Sequence, residues 1–305
     1  MGGFLLRRLV QGIVTIIVVS IILFLSLHAS GDPAAMLAPM DATPQDVAAL
    51  HAKLGLDKPL YRQYADFWTQ SLHGNVGRSF RYREPSLTLV GPFLWRTAQL
   101  VIPAVILSSL LGTALGVLAA VSQRSWIDKL ILVLALVGQA VPIFFLSLLL
   151  VLLFAVRLRW LPVSGSGSPA HYVLPVASIA VFNLAIIVRL TRSAMVDTLS
   201  QDFIRTARAK GLGSRPVLLR HALRNASLEI VSAIGVQLGT LLSGVVVIEA
   251  IFAWPGIGKL MYDAVLQRDF PLVMTGALVV AVIVIAINLL VDISYALLDP
   301  RIRFG

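Results

Sequence analysis

The residues best suited to chemistry gather in one stretch, Arg205-Thr206-Ala207-Arg208-Ala209-Lys210-Gly211, preceded by Ser200 and Asp202. Ser200 is suited to cap a short helix, Asp202 falls in its first turn, Arg208 and Lys210 in its last, and Gly211 just beyond. That order complements the helix dipole at both ends. The chemistry on offer is binding. Guanidinium groups make forked, charge-assisted contacts, and the small residues let another protein approach closely. A further helix is expected from Ser214, carrying His221, Leu223, Arg224 and Asn225. Topology anchoring would explain the positive charge of this region, but not ordered helices with small residues on one face.

Motifs for catalysis are missing. The phosphate-cradling pattern G-x-x-x-x-G-K-[ST] does not occur, and Gly256-Ile257-Gly258-Lys259-Leu260 is too short for it and lacks the hydroxyl residue. Neither His-Glu-x-x-His nor Gly-x-Ser-x-Gly is present. With no cysteine, disulfides and thiolate metal sites are excluded, and the five histidines show no ligand spacing, so no metal site is expected. A membrane-embedded enzyme is therefore set aside.

The elements that must hold this stretch are membrane helices. Of 305 residues, 58% are hydrophobic and only 13% charged, whereas a soluble domain carries about 25% charged residues. The net charge of +10 then reads as the cationic bias of cytoplasmic loops rather than a nucleic-acid surface. About 20 apolar residues in a helix cross the hydrocarbon core, and six stretches qualify, near 9–28, 98–121, 130–156, 172–188, 228–253 and 272–297. Pro175 and Asn183 make the fourth the weakest. The expectation is one all-α transmembrane domain over 1–305, with an outer loop at 29–97 and a cytoplasmic loop at 189–227.

Orientation follows from Lys and Arg in the short connections. Arg7, Arg8, Arg124, Lys129, the cluster from Arg192 to Arg224, Arg301 and Arg303 would share one side, which puts both termini in the cytoplasm. In the outer loop, Thr43-Pro44 reads as a helix start and Gly55 as its stop, with a second helix carrying Leu60, Tyr61, Tyr64, Phe67, Trp68 and Leu72. These helices would form either a docking platform for an external partner or a lid packed on the bundle.

Polar groups inside spans are costly and so become candidates for a path or gate; Glu249, Asn288 and Asp292 are of this kind. Glu249 suits an interfacial ion pair equally well. Gly112-x-x-x-Gly116 and Gly235-x-x-x-Gly239 permit close helix approach, and core packing is the expected use.

In the cytoplasmic loop the sequence resembles the permease subunits of ATP-binding-cassette importers of the dipeptide, oligopeptide and nickel type. Thr206-Ala207-Arg208 followed by Gly211 occupies the place of that family's coupling motif. The likeness extends along the chain through Gly31-Asp32-Pro33, Leu54-Gly55-Leu56-Asp57-Lys58-Pro59-Leu60, Gly74-Asn75-Val76-Gly77-Arg78-Ser79, Trp160-Leu161-Pro162 and Tyr172-Val173-Leu174-Pro175. It continues through His221-Ala222-Leu223-Arg224-Asn225-Ala226, Phe252-Ala253-Trp254-Pro255-Gly256 and Leu298-Asp299-Pro300-Arg301-Ile302-Arg303. Thr206 stands where the wider superfamily has glutamate, and Glu229 where proline is expected as the fifth span begins.

The resemblance, closest to the first of two nonidentical permease types, implies a type I importer fold and no enzyme activity in this chain. It implies a second homologous permease as heterodimer partner, two cytoplasmic ATPase subunits that bind ATP and Mg, and a periplasmic or lipid-anchored solute-binding protein. It further implies that 202–211 is the ATPase-coupling helix, that Trp254, Pro255 and Gly256 contact the binding protein, and that the chain resides in a bacterial inner membrane. Peptides or related small solutes would be carried. The alternative is a secondary transporter driven by an ion gradient, which would leave the large helical loop unused.

Overall fold

The structure is a computed structural model that describes residues 2–29, 34 and 43–298. Gly31-Asp32-Pro33 and the motif from Asp299 to Arg303 lie outside the described residues. Among the described residues the regular structure is helical and the only ladder contact is a bridge between Arg78 and Pro85. The helices are α1 Gly2–Ala29, α2 Pro44–Leu54, α3 Leu60–Leu72, α4 Ser86–Val121, α5 Trp126–Ala140 and α6 Ile143–Leu150. There follow α7 Ala170–Leu199, α8 Asp202–Ala209, α9 Leu223–Ile251, α10 Ile257–Leu266 and α11 Phe270–Leu298. Two π-helical segments, Val151–Arg157 and Val217–Ala222, extend α6 and precede α9.

Among the described residues, four helices are long and apolar enough to cross a membrane unbroken: Leu6–Ser26, Ser86–Val121, Ala170–Leu199 and Phe270–Val291. The fourth expected stretch is continuous although Pro175 lies inside its helix, and Asn183 Nδ2 donates to Ser108 Oγ at 3.1 Å. The third stretch is not one straight element. Pro142 drives Val141 into an extended conformation (φ −80°, ψ 120°) and the two halves meet at 101°. The fifth bends by 58° between Leu241 and Gly244. Large apolar side chains such as Leu110, Leu134 and Val236 are more than half exposed, as suits helices facing lipid or another membrane chain.

The contacts divide the chain into two compact units. One comprises Met1–Arg96 with Gly256–Ile285, the other Thr97–Pro255 with Ala286–Gly305.

In the first unit, α2 begins with Thr43 Oγ1 accepting from Asp46 N–H and the Asp46 carboxylate accepting from Thr43 N–H, and it ends on Gly55 at φ +69°. The Thr43 hydroxyl, then its N–H, hold the Asp46 carboxyl below its ordinary range. This cap is complete at neutral pH and weakens as acid protonates the carboxylate. One face of α3 packs on α1: the Tyr64 and Ser20 hydroxyls lie 2.7 Å apart, Phe24 meets Tyr64 edge-on, and His28 Nε2 lies 3.0 Å from Gln63 Oε1. Of the two readings of the outer loop, packing on the bundle accounts for this face.

Asp269, 1% exposed, organises the loop from Gly77 to Ser86. Its carboxylate accepts hydrogen bonds from the Ser79 hydroxyl, Phe80 N–H (3.1 Å), Arg81 N–H (3.2 Å) and, at the start of α11, Leu272 N–H (3.4 Å). Beside this loop an open cavity of about 990 Å³ is lined in part by His28, Gln63, Phe67, Arg78 and Phe80.

The second unit has one apolar cluster around Leu100, Ala104, Ile179, Ile248, Phe252 and Trp254, and another around Ala120, Ala194, Met195, Ile204, Ala207 and Val217. Gly112 and Gly116 lie on the face of α4 that meets α7. A Cβ at Gly116 would stand 2.6 Å from Thr191 Cβ and 2.8 Å from the Val188 carbonyl oxygen, and one at Gly112 would stand 2.8 Å from Ile187 Cγ2. Gly235 is likewise covered, by Val291. Gly112, Gly116 and Gly235 serve packing within the chain.

Gly116→Val is expected to lower stability by about 1–3 kcal/mol through overpacking, read as a reduced thermal midpoint of the purified chain. Gly167→Ala, where nothing lies within 4 Å, should change it by less than about 0.5 kcal/mol. Asp269→Ala should free the loop and make tryptic cleavage after Arg78, Arg81 or Arg83 markedly faster in limited proteolysis; cleavage at the wild-type rate would show that the carboxylate does not hold it.

Candidate coupling site

The short helix α8 carries the cationic stretch. Ile204 (0% exposed) and Ala207 (7%) face inward, one helical turn apart, into the cluster of Ala120, Ala194 and Met195. Asp202, Arg205, Thr206, Arg208, Ala209, Lys210 and Gly211 are all exposed. Ala207 is thus a packing residue and not part of the small-residue surface offered to a partner. Arg205 and Asp202 approach at 3.4 Å, but both side chains are largely in water, so the pair adds little and the guanidinium is available. Phe203 and Leu212, 39% and 41% exposed, add apolar area to the same surface. Sequence reading passed over them, although a large apolar residue in the first turn of a polar helix and another just beyond its end are a legible signal.

The ends of α8 are built differently. Ser200 does not cap it; its hydroxyl donates to Asp197 O at 2.8 Å, closing α7, and Gln201 stands at the N-cap without a side-chain bond. At the other end Gly211 adopts φ +81°. Gly211 N–H bonds Arg208 O at 2.9 Å and Leu212 N–H bonds Ala207 O at 3.3 Å. These two bonds form a Schellman stop, which requires a left-handed residue. Ser214 opens the next helical segment as expected, but the backbone passes through π geometry at Val217–Ala222 before α9. Glu229 sits exposed inside α9 rather than at its start, so no proline is needed to begin the helix there.

The remaining candidates separate. Glu249 is fully buried, accepts a hydrogen bond from the Thr97 hydroxyl, and its backbone carbonyl accepts from Trp254 N–H at 2.8 Å. Asn288 is exposed on α11. Asp292 is on the same helix, with its side chain outside those described. Trp254 is 0% exposed and stacks edge-on against Tyr172 at 4.6 Å. Its ring faces the core and Gly256 is buried, so of the three expected contact residues only Pro255 is partly exposed, beside the exposed Ala253. No group of three or more metal-ligating side chains occurs among the described residues.

An all-helical chain with an exposed cationic helix seated on its own apolar cluster fits a transporter subunit moved by another protein. The model of the binding-protein-dependent transport system inner membrane component matches residues 112–304, and the N-terminal model of such membrane components matches residues 1–89. The chain belongs to this permease family. The glutathione transport system permease protein GsiC of Salmonella typhimurium is 40% identical over 305 residues, covering 100% of both chains, and that of Escherichia coli K12 is 38% identical over the same span. Among solved structures, the inward-facing MetNI methionine ABC transporter aligns with TM-score 0.58 at 18% identity, over 71% of this chain and 99% of that one. An amino acid ABC transporter solved with histidines aligns with TM-score 0.55 at 17% identity, over 68% and 93%. The permease is therefore an inner-membrane, multi-pass subunit of an ATP-driven importer with the type I permease fold. It works with ATPase and binding-protein partners and is not itself an enzyme. An ion-gradient transporter is set aside by this membership.

In the permease, Gly211 acts through its backbone. Gly211→Val is expected to unravel the end of α8, at a cost of about 1–2 kcal/mol for the left-handed conformation, and Gly211→Asn to be better tolerated. Hydrogen exchange of the Arg208–Leu212 amides should rank wild type slowest, Asn intermediate and Val fastest.

Proposed function

We propose that this permease pairs with a second, homologous permease, and that the pair forms the path for a short peptide or a related small solute delivered by an external binding protein. Two cytoplasmic ATPase subunits bind ATP and Mg and grip each permease by its coupling helix. In this chain that helix is Asp202–Ala209 with Lys210 and Gly211 behind it. Both termini and α8 face the cytoplasm, where the cationic short connections belong. The observation that carries the reading is the division of α8, with Ile204 and Ala207 held by the permease and Arg205 and Arg208 left exposed. A helix anchored on one face and charged on the other transmits a push from a groove that receives it. A peptide-like cargo is favoured by full-length likeness to glutathione permeases. The candidate polar residues of the path are Glu249, Asn288 and Asp292, with Pro255 as the candidate outer contact.

The experiment is reconstitution of the complete assembly in proteoliposomes. ATP-dependent import of a tripeptide, absent when only an ion gradient is imposed, is the expected result. Arg205→Glu with Arg208→Glu should lower solute-stimulated ATPase activity by at least about tenfold, since losing buried interfacial charge contacts costs about 2–5 kcal/mol. Stimulation at the wild-type level in that double variant would remove α8 as the coupling element.

A further inference from the structure

Asp128 is a buried carboxylate that no motif announces. It lies in the first turn of α5 and is 3% exposed. Its Oδ1 accepts from Arg192 Nε at 2.6 Å and its Oδ2 from Arg192 Nη2 at 2.8 Å, and Oδ2 also accepts from Arg124 N–H at 2.9 Å. Arg124 holds φ +67°, a left-handed conformation that arginine rarely adopts, and so directs that N–H at the carboxylate. Ser125 Oγ accepts from Asp128 N–H at 3.3 Å. The turn between α4 and α5 is thus shaped around one guanidinium of α7.

The position of Arg192 gives the contact its consequence. It lies in the last turns of α7, just before α8. Its neighbour Thr191 packs on Gly116 of α4, and Ala194 and Met195 pack with Ala120, Ile204 and Ala207. The ends of α4, α7 and α8 already form one apolar block, so the ion pair is not needed to gather them. Net stability does not explain it either: the Asp128 side chain is buried and that of Arg192 is 23% exposed, and an ion pair largely withdrawn from water can be replaced by apolar groups with little loss. What a two-bond fork supplies, and an apolar contact does not, is a fixed mutual orientation.

We propose that Asp128 and Arg192 are positioning residues, clamping α5 to α7 so that a displacement of α8 reaches α5 and α6 instead of being lost in the α4–α5 turn. The inference rests on α8 being the ATPase-coupling helix. Packed elements move between discrete arrangements as bodies; Ile131 and Ala135 of α5 already pack with Ala185 and Val188 of α7, and the fork adds a fixed orientation at the first turn of α5, the end nearest α8.

The test uses the complete assembly in proteoliposomes, with solute imported per ATP hydrolysed measured alongside the thermal midpoint. The double variant Asp128→Leu with Arg192→Met replaces the fork by apolar groups. It is expected to keep the midpoint of the wild type while import per ATP falls by at least about threefold, within the range of coupling changes. Arg192→Lys, which keeps the charge and loses the fork, should fall in the same direction by less. Import per ATP equal to wild type in the double variant overturns the clamp. If the double variant does not assemble, Arg192→Lys decides: a lower ratio per assembled complex supports the clamp, and an unchanged ratio overturns it. A wild-type assembly without solute-stimulated hydrolysis would overturn the coupling reading and this inference together.

Discussion

Hydrocarbon offers no partner to a backbone N–H or C=O, and an unpaired group there costs several kcal/mol. The permease answers with helix over most of its described residues, and several departures from the α ladder have a local cause. Pro142 turns the chain by 101°. Gly55 and Gly211 end helices in the left-handed region, with two backbone bonds closing each stop. The loop from Gly77 to Ser86 is irregular, and there the Asp269 carboxylate supplies the acceptors that a helix would have provided.

The three buried acidic residues with described partners answer the same constraint in different ways. Asp269 is satisfied chiefly by backbone N–H groups and a serine hydroxyl. Asp128 is satisfied by a guanidinium fork and one N–H. Glu249 takes the Thr97 hydroxyl. A carboxylate removed from water without partners would be expelled or protonated, so each of these sites fixes the geometry around it. In the second unit, this ties α5 to α7 and α4 to α9.

The proposed coupling surface on α8 is held in place by its own chain. Ile204 and Ala207 are seated on Ala120, Ala194 and Met195, so α8 follows the ends of α4 and α7. The charges on its other face lie in solvent, where their mutual pairing is weak. They are therefore available to a receiving protein without first breaking a strong contact.

Hydrophobic length alone marked a membrane protein, because lipid solubility acts on composition along the chain, and the ordered series of short motifs carried the resemblance to ABC importer permeases that the family models bear out. Local signals were also sufficient for the cap at Thr43 and the stops at Gly55 and Gly211, whose hydrogen bonds join residues a few positions apart. Only the tertiary structure decided which way side chains face and which distant groups meet. Ala207 turned inward, Trp254 went into the core, and Asp128 met Arg192 across 64 positions of sequence. Asp269 captured a loop 188 to 190 positions away. Such pairings depend on how helices are arranged around one another, and a hydrophobic run is equally apolar whichever neighbour it packs against.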